Sequence, residues 1–265
     1  MSFLELFSSY SLFVLSSLAI LAFVAGFIDA VVGGGGLIQL PALLINFPKM
    51  PLPTIFGTNK IAALSGTFFS AFQYSKRVKF NYKLLLITSF CSAIASFSGA
   101  KVVSYIDVTV LKPVILVILI LIVIYSLIKK DLGAFQTKLL PQKKQIIYAS
   151  LIGLFIGFYD GFFGPGTGSF LVFGFVFILG FEFVEASAYS KVVNCITNLS
   201  ALVVFVRQGN YIIELAILMA VCNIIGNIIG TKLALKKGNQ FVRIVFLIIV
   251  TLMIIRYGYD VFIVK

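Results

Sequence analysis

The chain has 265 residues, of which 60% are hydrophobic and 11% are charged, and its mean hydropathy is +1.11. This composition excludes a soluble globular domain and predicts an integral membrane protein, because apolar runs able to cross a hydrocarbon core of about 30 Å follow one another along the chain. The net charge of +12 does not indicate nucleic-acid binding, since the basic residues lie in short loops between apolar segments.

We predict helices rather than a transmembrane barrel, because stretches such as 114–128 are continuously apolar instead of alternating. The fold class is therefore all-α, a polytopic membrane protein with repeats at 1–130 and 146–265, joined by a basic cytoplasmic linker at 131–145. The predicted segments are 6–28, 31–47, 55–75, 83–103 and 110–128, then 146–161, 163–181, 186–206, 212–231 and 242–262.

The two halves repeat each other at an offset of 131 positions. Gly26, Phe27, Asp29, Gly33 and Gly35 recur as Gly157, Phe158, Asp160, Gly164 and Gly166, and the register holds without a gap for about eighty residues. Five crossings per half return the chain to the opposite face of the bilayer, so the second repeat is predicted to be inverted. Around the glycine-rich motifs the segments are either re-entrant hairpins or broken helices, which leaves eight to ten spans.

The positive loops give the predicted orientation. The loop 76–83, the linker and the loop 236–243 are basic and should be cytoplasmic, whereas the loop 207–214, which is the repeat equivalent of the first, has lost nearly all of its positive charge. Both termini would then lie on the outer side of the cytoplasmic membrane, which is the inner membrane in cells that have two membranes.

The glycine runs 33–36 and 164–168 interrupt predicted helices in both halves. Such a break is tolerated inside a membrane only where protein or a water-filled cavity surrounds it. A helix that restarts after the break presents unpaired N–H groups and a partial positive charge, so two such starts near the midplane would form an anion site. The alternative is that these glycines only allow close helix packing.

Four ionisable residues lie in or beside apolar segments at equivalent positions, namely Asp29 and Asp160, and Lys60 and Lys191. Charges at membrane depth indicate a transport pathway, a coupling group or a mutual pair. Either each aspartate pairs with a lysine when the site is empty, or it becomes protonated when an anion arrives, which would couple transport to protons. The aspartates would alternatively cap the helices that follow them.

Polar side chains accumulate on the third and fourth segments of each half, and Asn194, Thr197 and Asn198 share one helical face. That face lines a polar cavity or forms hydrogen bonds between helices. Gln39 and Pro41 could add a donor and a kink after the first glycine run. The predicted substrate-binding residues are Gly33, Gly34, Gly35, Asn59, Lys60, Gly164, Gly166, Thr167, Lys191, Asn194 and Asn198, and the predicted coupling residues are Asp29 and Asp160.

The strings Gly26-Phe27-Ile28-Asp29-Ala30, Gly57-Thr58-Asn59-Lys60 and Phe158-Tyr159-Asp160-Gly161-Phe162-Phe163-Gly164-Pro165 resemble the sulfite exporter TauE/SafE family, in its YfcA-like branch. The resemblance covers nearly the whole chain. It implies a multi-pass transporter of the bacterial cytoplasmic membrane, in a family whose named members move sulfite, sulfonates or other sulfur-containing organic anions. Many relatives in the wider family carry another residue at the position of Asp29, which favours proton coupling or ion pairing here.

The leading hypothesis is a secondary transporter of a small anion that contains sulfur. The alternatives are a cation-coupled carrier in which the aspartates bind Na⁺ or H⁺, and a membrane assembly factor without transport activity. With no histidine, no CxxC motif and no serine beside a base, we expect no enzyme, no cofactor and no metal. The expected partners are a small anionic substrate and the lipid bilayer but no nucleic acid, with a homodimer left open.

Overall fold

The computed structural model describes residues 10–47, 49–103, 117, 120, 124 and 140–262. The part of the chain that it describes is helical and contains no strand. The helices are α1 Leu12–Val32, α2 Gly36–Asn46, α3 Leu52–Ser75, α4 Tyr82–Val102, α5 Gln142–Phe162, α6 Thr167–Gly174, α7 Phe183–Arg207 and α8 Ile213–Phe262. A π-helical turn at Phe175–Leu179 extends α6. Gly238, with φ 73° and ψ −165°, divides α8 into 213–237 and 239–262.

The all-helical, polytopic membrane architecture is confirmed. Five helices among the described residues are long and apolar enough to cross a membrane. The predicted segment 110–128 and most of the predicted linker lie outside the described residues, apart from helical positions at 117, 120 and 124. The remaining nine segments correspond to helices, and α5 begins at Gln142, four residues before the predicted segment.

The short helices α2 and α6 fold back beside the helices that precede them. The rings of Tyr10 and Phe47, before α1 and after α2, lie 5.1 Å apart, so α2 returns toward the start of α1. In the second repeat the Phe170 ring of α6 lies 5.3 Å from the Tyr159 ring of α5. Each glycine run is therefore the tip of a helical hairpin. This excludes the alternative of one continuous broken helix.

Both aspartates of the repeated motif lie inside helices, although the sequence predicts that the first segment ends at residue 28. The helix α1 continues through Asp29 to Val32 and stops where Gly33 adopts a left-handed conformation with φ 83°. An unpaired carboxylate would oppose this extension, but a lysine neutralises Asp29, as described below. The charge therefore does not end the helix.

Two apolar clusters occupy opposite ends of the molecule. The α1–α2 cluster includes Leu15, Leu40 and the start of α3, and the α5–α6 cluster includes Ala149, Leu171 and the end of α3. The helix α1 starts in the first cluster and ends in the second, whereas α5 starts in the second and ends in the first at Phe162. The start of α1 and the end of α5 therefore contribute to the same cluster.

Small residues allow close packing between the two repeats, in which a helix of one repeat pairs with a helix of the other. The helix α1 packs along the first part of α8, where a Cβ on Gly26 would lie 2.2 Å from the Asn223 carbonyl oxygen. The equivalent pair is α5 and α4, where a Cβ on Gly161 would lie 1.9 Å from the Ser96 carbonyl oxygen. Only glycine permits these backbone distances, so the helices pack closely as small residues allow in membranes.

Candidate functional site

A small cavity lies where the tips of the two hairpins meet, at the boundary between the apolar clusters. Its volume is about 30 Å³, which is room for two or three water molecules at roughly 10–15 Å³ each. The starts of α2 and α6 both reach it through Gly35, Gly36, Gly166 and Thr167. Both helices therefore direct the positive ends of their dipoles toward one space.

Most of the residues predicted from the sequence line this cavity. Those that do are Asp29, Gly33, Gly35, Asn59, Lys60, Asp160, Gly164, Gly166, Thr167, Asn194 and Asn198. Gly34 and Lys191 do not line it. A Cβ on Gly34 would meet the Ile249 side chain at 2.7 Å, so this glycine packs against the second part of α8, and Lys191 is enclosed behind Asp29.

The hairpin tips touch through their backbones at Gly33 and Gly168. A Cβ on Gly168 would lie 2.4 Å from the Gly33 Cα, and the Ser169 N–H donates to the Gly33 carbonyl oxygen over 3.1 Å. The close-packing interpretation of the glycines therefore applies at this contact. Gly164 and Gly166 differ, because φ values of 93° and 81° form the turn that brings the start of α6 to the cavity.

Two buried ion pairs join the repeats crosswise. Lys60 Nζ of the first repeat donates to Asp160 Oδ2 of the second over 2.8 Å, and Lys191 Nζ of the second lies 3.2 Å from Asp29 Oδ2 of the first. The four side chains sum to zero charge, and neither repeat pairs its own lysine with its own aspartate through these bonds. Pairing of each aspartate with a lysine is one of the alternatives that the sequence leaves open.

The two ion pairs have different surroundings. Lys60 lines the cavity and also donates to Asn198 Oδ1 over 3.1 Å. Lys191 has no exposed surface and also donates to the Asp29 backbone oxygen, while Thr67 Oγ1 donates to Asp29 Oδ2 over 3.0 Å. The repeat has thus diverged into one pair that borders the cavity through both partners and one whose lysine is sealed.

The aspartates do not cap the following helices. Gly35 and Gly166 occupy the N-cap positions of α2 and α6, and no side chain makes a capping hydrogen bond at either. The carboxylates are used by the lysines instead, so the capping alternative is wrong. In α2 the Leu37 and Ile38 N–H groups donate to backbone oxygens, as do the Thr167 and Ser169 N–H groups in α6, so the helix starts act on the cavity mainly through their dipoles.

The polar face of α7 is organised around Lys60. Asn198 Nδ2 donates to the backbone oxygen and to Oδ1 of Asn194, over 2.8 and 3.0 Å, which leaves Asn198 Oδ1 to accept from Lys60. Thr197 lies off the cavity, and its backbone oxygen accepts from Ser96 of α4 over 2.8 Å. The polar face of α7 therefore both lines the cavity and forms hydrogen bonds to other helices.

Several lining residues were not among the predicted site residues. Apolar walls give no polar signal in the sequence, and Gly36 and Gly168 belong to the glycine runs without having been selected. The sequence predicts Gln39 only as a possible donor, and Asn223 lies among the polar side chains of the predicted segment 212–231. These additional residues are Gly36, Gln39, Leu40, Phe56, Ala63, Phe163, Gly168 and Asn223. Among the described residues, no group of three His, Cys, Asp or Glu side chains could hold a metal ion.

Comparison with known proteins places the chain among membrane transporters. The family model "Sulfite exporter TauE/SafE" matches residues 18–257. A "Probable membrane transporter protein" of Haemophilus influenzae is 32% identical over 246 residues, 93% of this chain and 95% of the relative. ORF9 of a Sinorhizobium species, also named a probable membrane transporter protein, is 35% identical, with 91% of each chain covered. YfcA of Escherichia coli K12 is 31% identical, covering 94% and 93%. No solved structure matches the chain.

Proposed function

The chain belongs to the sulfite exporter TauE/SafE family of membrane transporters, and from this premise we propose that it is a secondary transporter of a small organic or inorganic anion. The substrate class is sulfur-containing, such as sulfite or a sulfonate. The observation that carries the proposal is the cavity on which two helix N-termini, one lysine and several amide side chains converge. Helix starts and ammonium groups are the donors that bind oxyanions in proteins.

The ion pair at the cavity supplies a mechanism for coupling. Lys60 is neutralised by Asp160, so an arriving anion must compete with this carboxylate for the ammonium group. Protonation of Asp160 removes the competitor and leaves the site with a net positive charge for the anion. Binding of the anion and binding of the proton therefore favour each other, which supports transport of the two together.

Substrate entry requires the hairpin tips to separate, because they touch through their backbones at Gly33 and Gly168, which both line the cavity. We infer that withdrawal of one tip opens the cavity to one side of the membrane.

Alternating access follows if the repeats are inverted across the bilayer. The opposite directions of α1 and α5 and the crosswise ion pairs support this arrangement. The same topology places the basic loop 76–83 in the cytoplasm and both termini outside the cell membrane.

One alternative has an observation in its favour. Asp29 and Asp160 both line the cavity, so a cation such as Na⁺ could bind the carboxylates directly and drive transport of another small metabolite. Lys60 and Lys191 already occupy these carboxylates, which makes the anion the better-supported ligand.

Flux into proteoliposomes tests the proposal. Wild-type protein should take up labelled sulfite or sulfoacetate faster with an inward proton gradient than without one, and an imposed Na⁺ gradient should have no effect. Lys60→Ala should abolish uptake, while Lys83→Ala, which removes an exposed lysine at the start of α4, should leave it unchanged. Sodium-driven uptake, or normal uptake by Lys60→Ala, would reject the assignment of the site.

A further inference from the structure

A chain of buried hydrogen bonds runs from α3 through α8 to the cavity. Ser70 Oγ donates to Asn227 Oδ1 over 2.7 Å, and Asn227 Nδ2 donates to Asn223 Oδ1 over 2.8 Å. Asn223 Nδ2 then donates to Gln39 Oε1 over 3.3 Å. All four side chains are buried, and the last two line the cavity.

The orientations of the two asparagine amides in this chain are fixed by backbone carbonyl groups, which can only accept. Asn227 Nδ2 also donates to the Asn223 backbone oxygen over 3.1 Å, and Asn223 Nδ2 also donates to the Ala22 backbone oxygen over 3.3 Å. Turning either amide around would place its oxygen against a carbonyl oxygen. Gln39 must therefore present its oxygen to Asn223 and its NH₂ group away from it.

The Gln39 NH₂ group is the unsatisfied end of the chain. Gln39 has only 1% of its surface exposed, and its Nε2 has no hydrogen-bond partner. Leaving a buried donor unpaired is costly, so this arrangement indicates a ligand with an acceptor atom. A second unpartnered buried atom, Asn59 Oδ1, belongs to another residue on the same cavity wall.

We propose that Gln39 is a substrate-binding and specificity-determining residue, which donates through Nε2 to an oxygen of the transported oxyanion. The proposal rests on anion transport as the function. Together with Lys60, it gives the site one neutral donor of fixed direction and one charged donor. Such a pair selects a substrate with at least two acceptor oxygens over a spherical halide.

The repeat makes this donor unique. The positions equivalent to Gln39, Asn223, Asn227 and Ser70 hold Phe170, Ser92, Ser96 and Ala201, none of which could rebuild the chain of amides in the other half. An oxyanion therefore meets the Gln39 NH₂ group on one side only. The pseudo-symmetric cavity binds its substrate in one orientation.

Three variants test the proposal through the KM for labelled sulfite in proteoliposomes. Gln39→Met keeps the length of the side chain without its donors, and Gln39→Glu keeps the acceptor for Asn223 while adding a negative charge. Gln208→Met makes the same change at an exposed position after α7 and should leave the KM unchanged. Loss of a hydrogen bond to a charged ligand should raise the KM of Gln39→Met by about tenfold to a hundredfold, and that of Gln39→Glu further.

The order of the two Gln39 variants separates binding from structure. If Gln39 only held Asn223, Gln39→Glu would have a lower KM than Gln39→Met, because glutamate retains the acceptor. That order of KM values, or an unchanged KM in Gln39→Met, would overturn this inference but not the proposed function. A purified Gln39→Met protein that melts at the wild-type temperature but shows the raised KM supports it. Absence of any anion flux in the wild type would overturn the proposed function and this inference with it.

Discussion

Removal of one partner from the sealed ion pair should strongly destabilise the fold. Lys191→Met removes an ammonium group with no exposed surface and leaves Asp29, which is 8% exposed, with Thr67 as its remaining side-chain donor. Breaking a buried pair by removing one partner costs about 3–5 kcal/mol. At roughly 2–4 °C per kcal/mol for a chain of this size, the melting temperature in detergent should fall by about 6–20 °C.

Adding Asp29→Leu to Lys191→Met is expected to restore most of the lost melting temperature. In Lys191→Met/Asp29→Leu no charge is left unpaired, and replacement of a whole buried pair by apolar side chains is often neutral. The double variant should therefore melt within a few degrees of the wild type. The coupling energy from the double-mutant cycle is then about as large as the sum of the losses in Lys191→Met and Asp29→Leu alone.

Thermal unfolding followed by circular dichroism at 222 nm measures the wild type, Lys191→Met, Asp29→Leu and the double variant, with Lys83→Ala as a charge-removal control. The reasoning is refuted if Lys191→Met melts within about 2 °C of the wild type. It is also refuted if the double variant is no more stable than the single one, since that would mean that the cost arises from lost packing and not from an orphaned charge.

Two further predictions concern the hairpin tips and the topology. Gly168→Ala places a Cβ 2.4 Å from the Gly33 backbone. This variant should destabilise the protein by about 1–3 kcal/mol and slow sulfite uptake. The control Gly174→Ala, in the same helix, meets only an Ile152 side chain at 3.4 Å and should change neither stability nor uptake. In a background without the three native cysteines, Arg77→Cys should react with an impermeant maleimide only from the cytoplasmic side of the membrane, and Gln208→Cys only from the outer side. Reaction of both cysteines from the same side would exclude the inverted topology.

The sequence predicts the helical architecture and the repeat well, because both depend on long apolar runs and on a gapless register. It also predicts that Asp29, Asp160, Lys60 and Lys191 interact. It could not say which lysine meets which aspartate, since the spacing between them is the same in each half. That choice depends on how the two halves dock.

The rest of the site depends on contacts between distant residues. Gln39 is one polar side chain among many in the sequence, and its importance comes from Asn223, which lies 184 positions away and fixes the direction of its amide. Lys191 looks identical to Lys60 in the repeat, yet only Lys60 reaches the cavity. No local pattern distinguishes a sealed lysine from a ligand-binding one.

The crosswise ion pairs also constrain how such a protein could have arisen. A protein made of a single repeat would carry one lysine and one aspartate that its own fold does not bring together, so only a second copy could neutralise them. An ancestor of that kind would have been an obligate dimer with two identical pairs. Once two such copies were joined in one chain, each pair could change alone, and here one lysine is fully buried while the other borders the cavity.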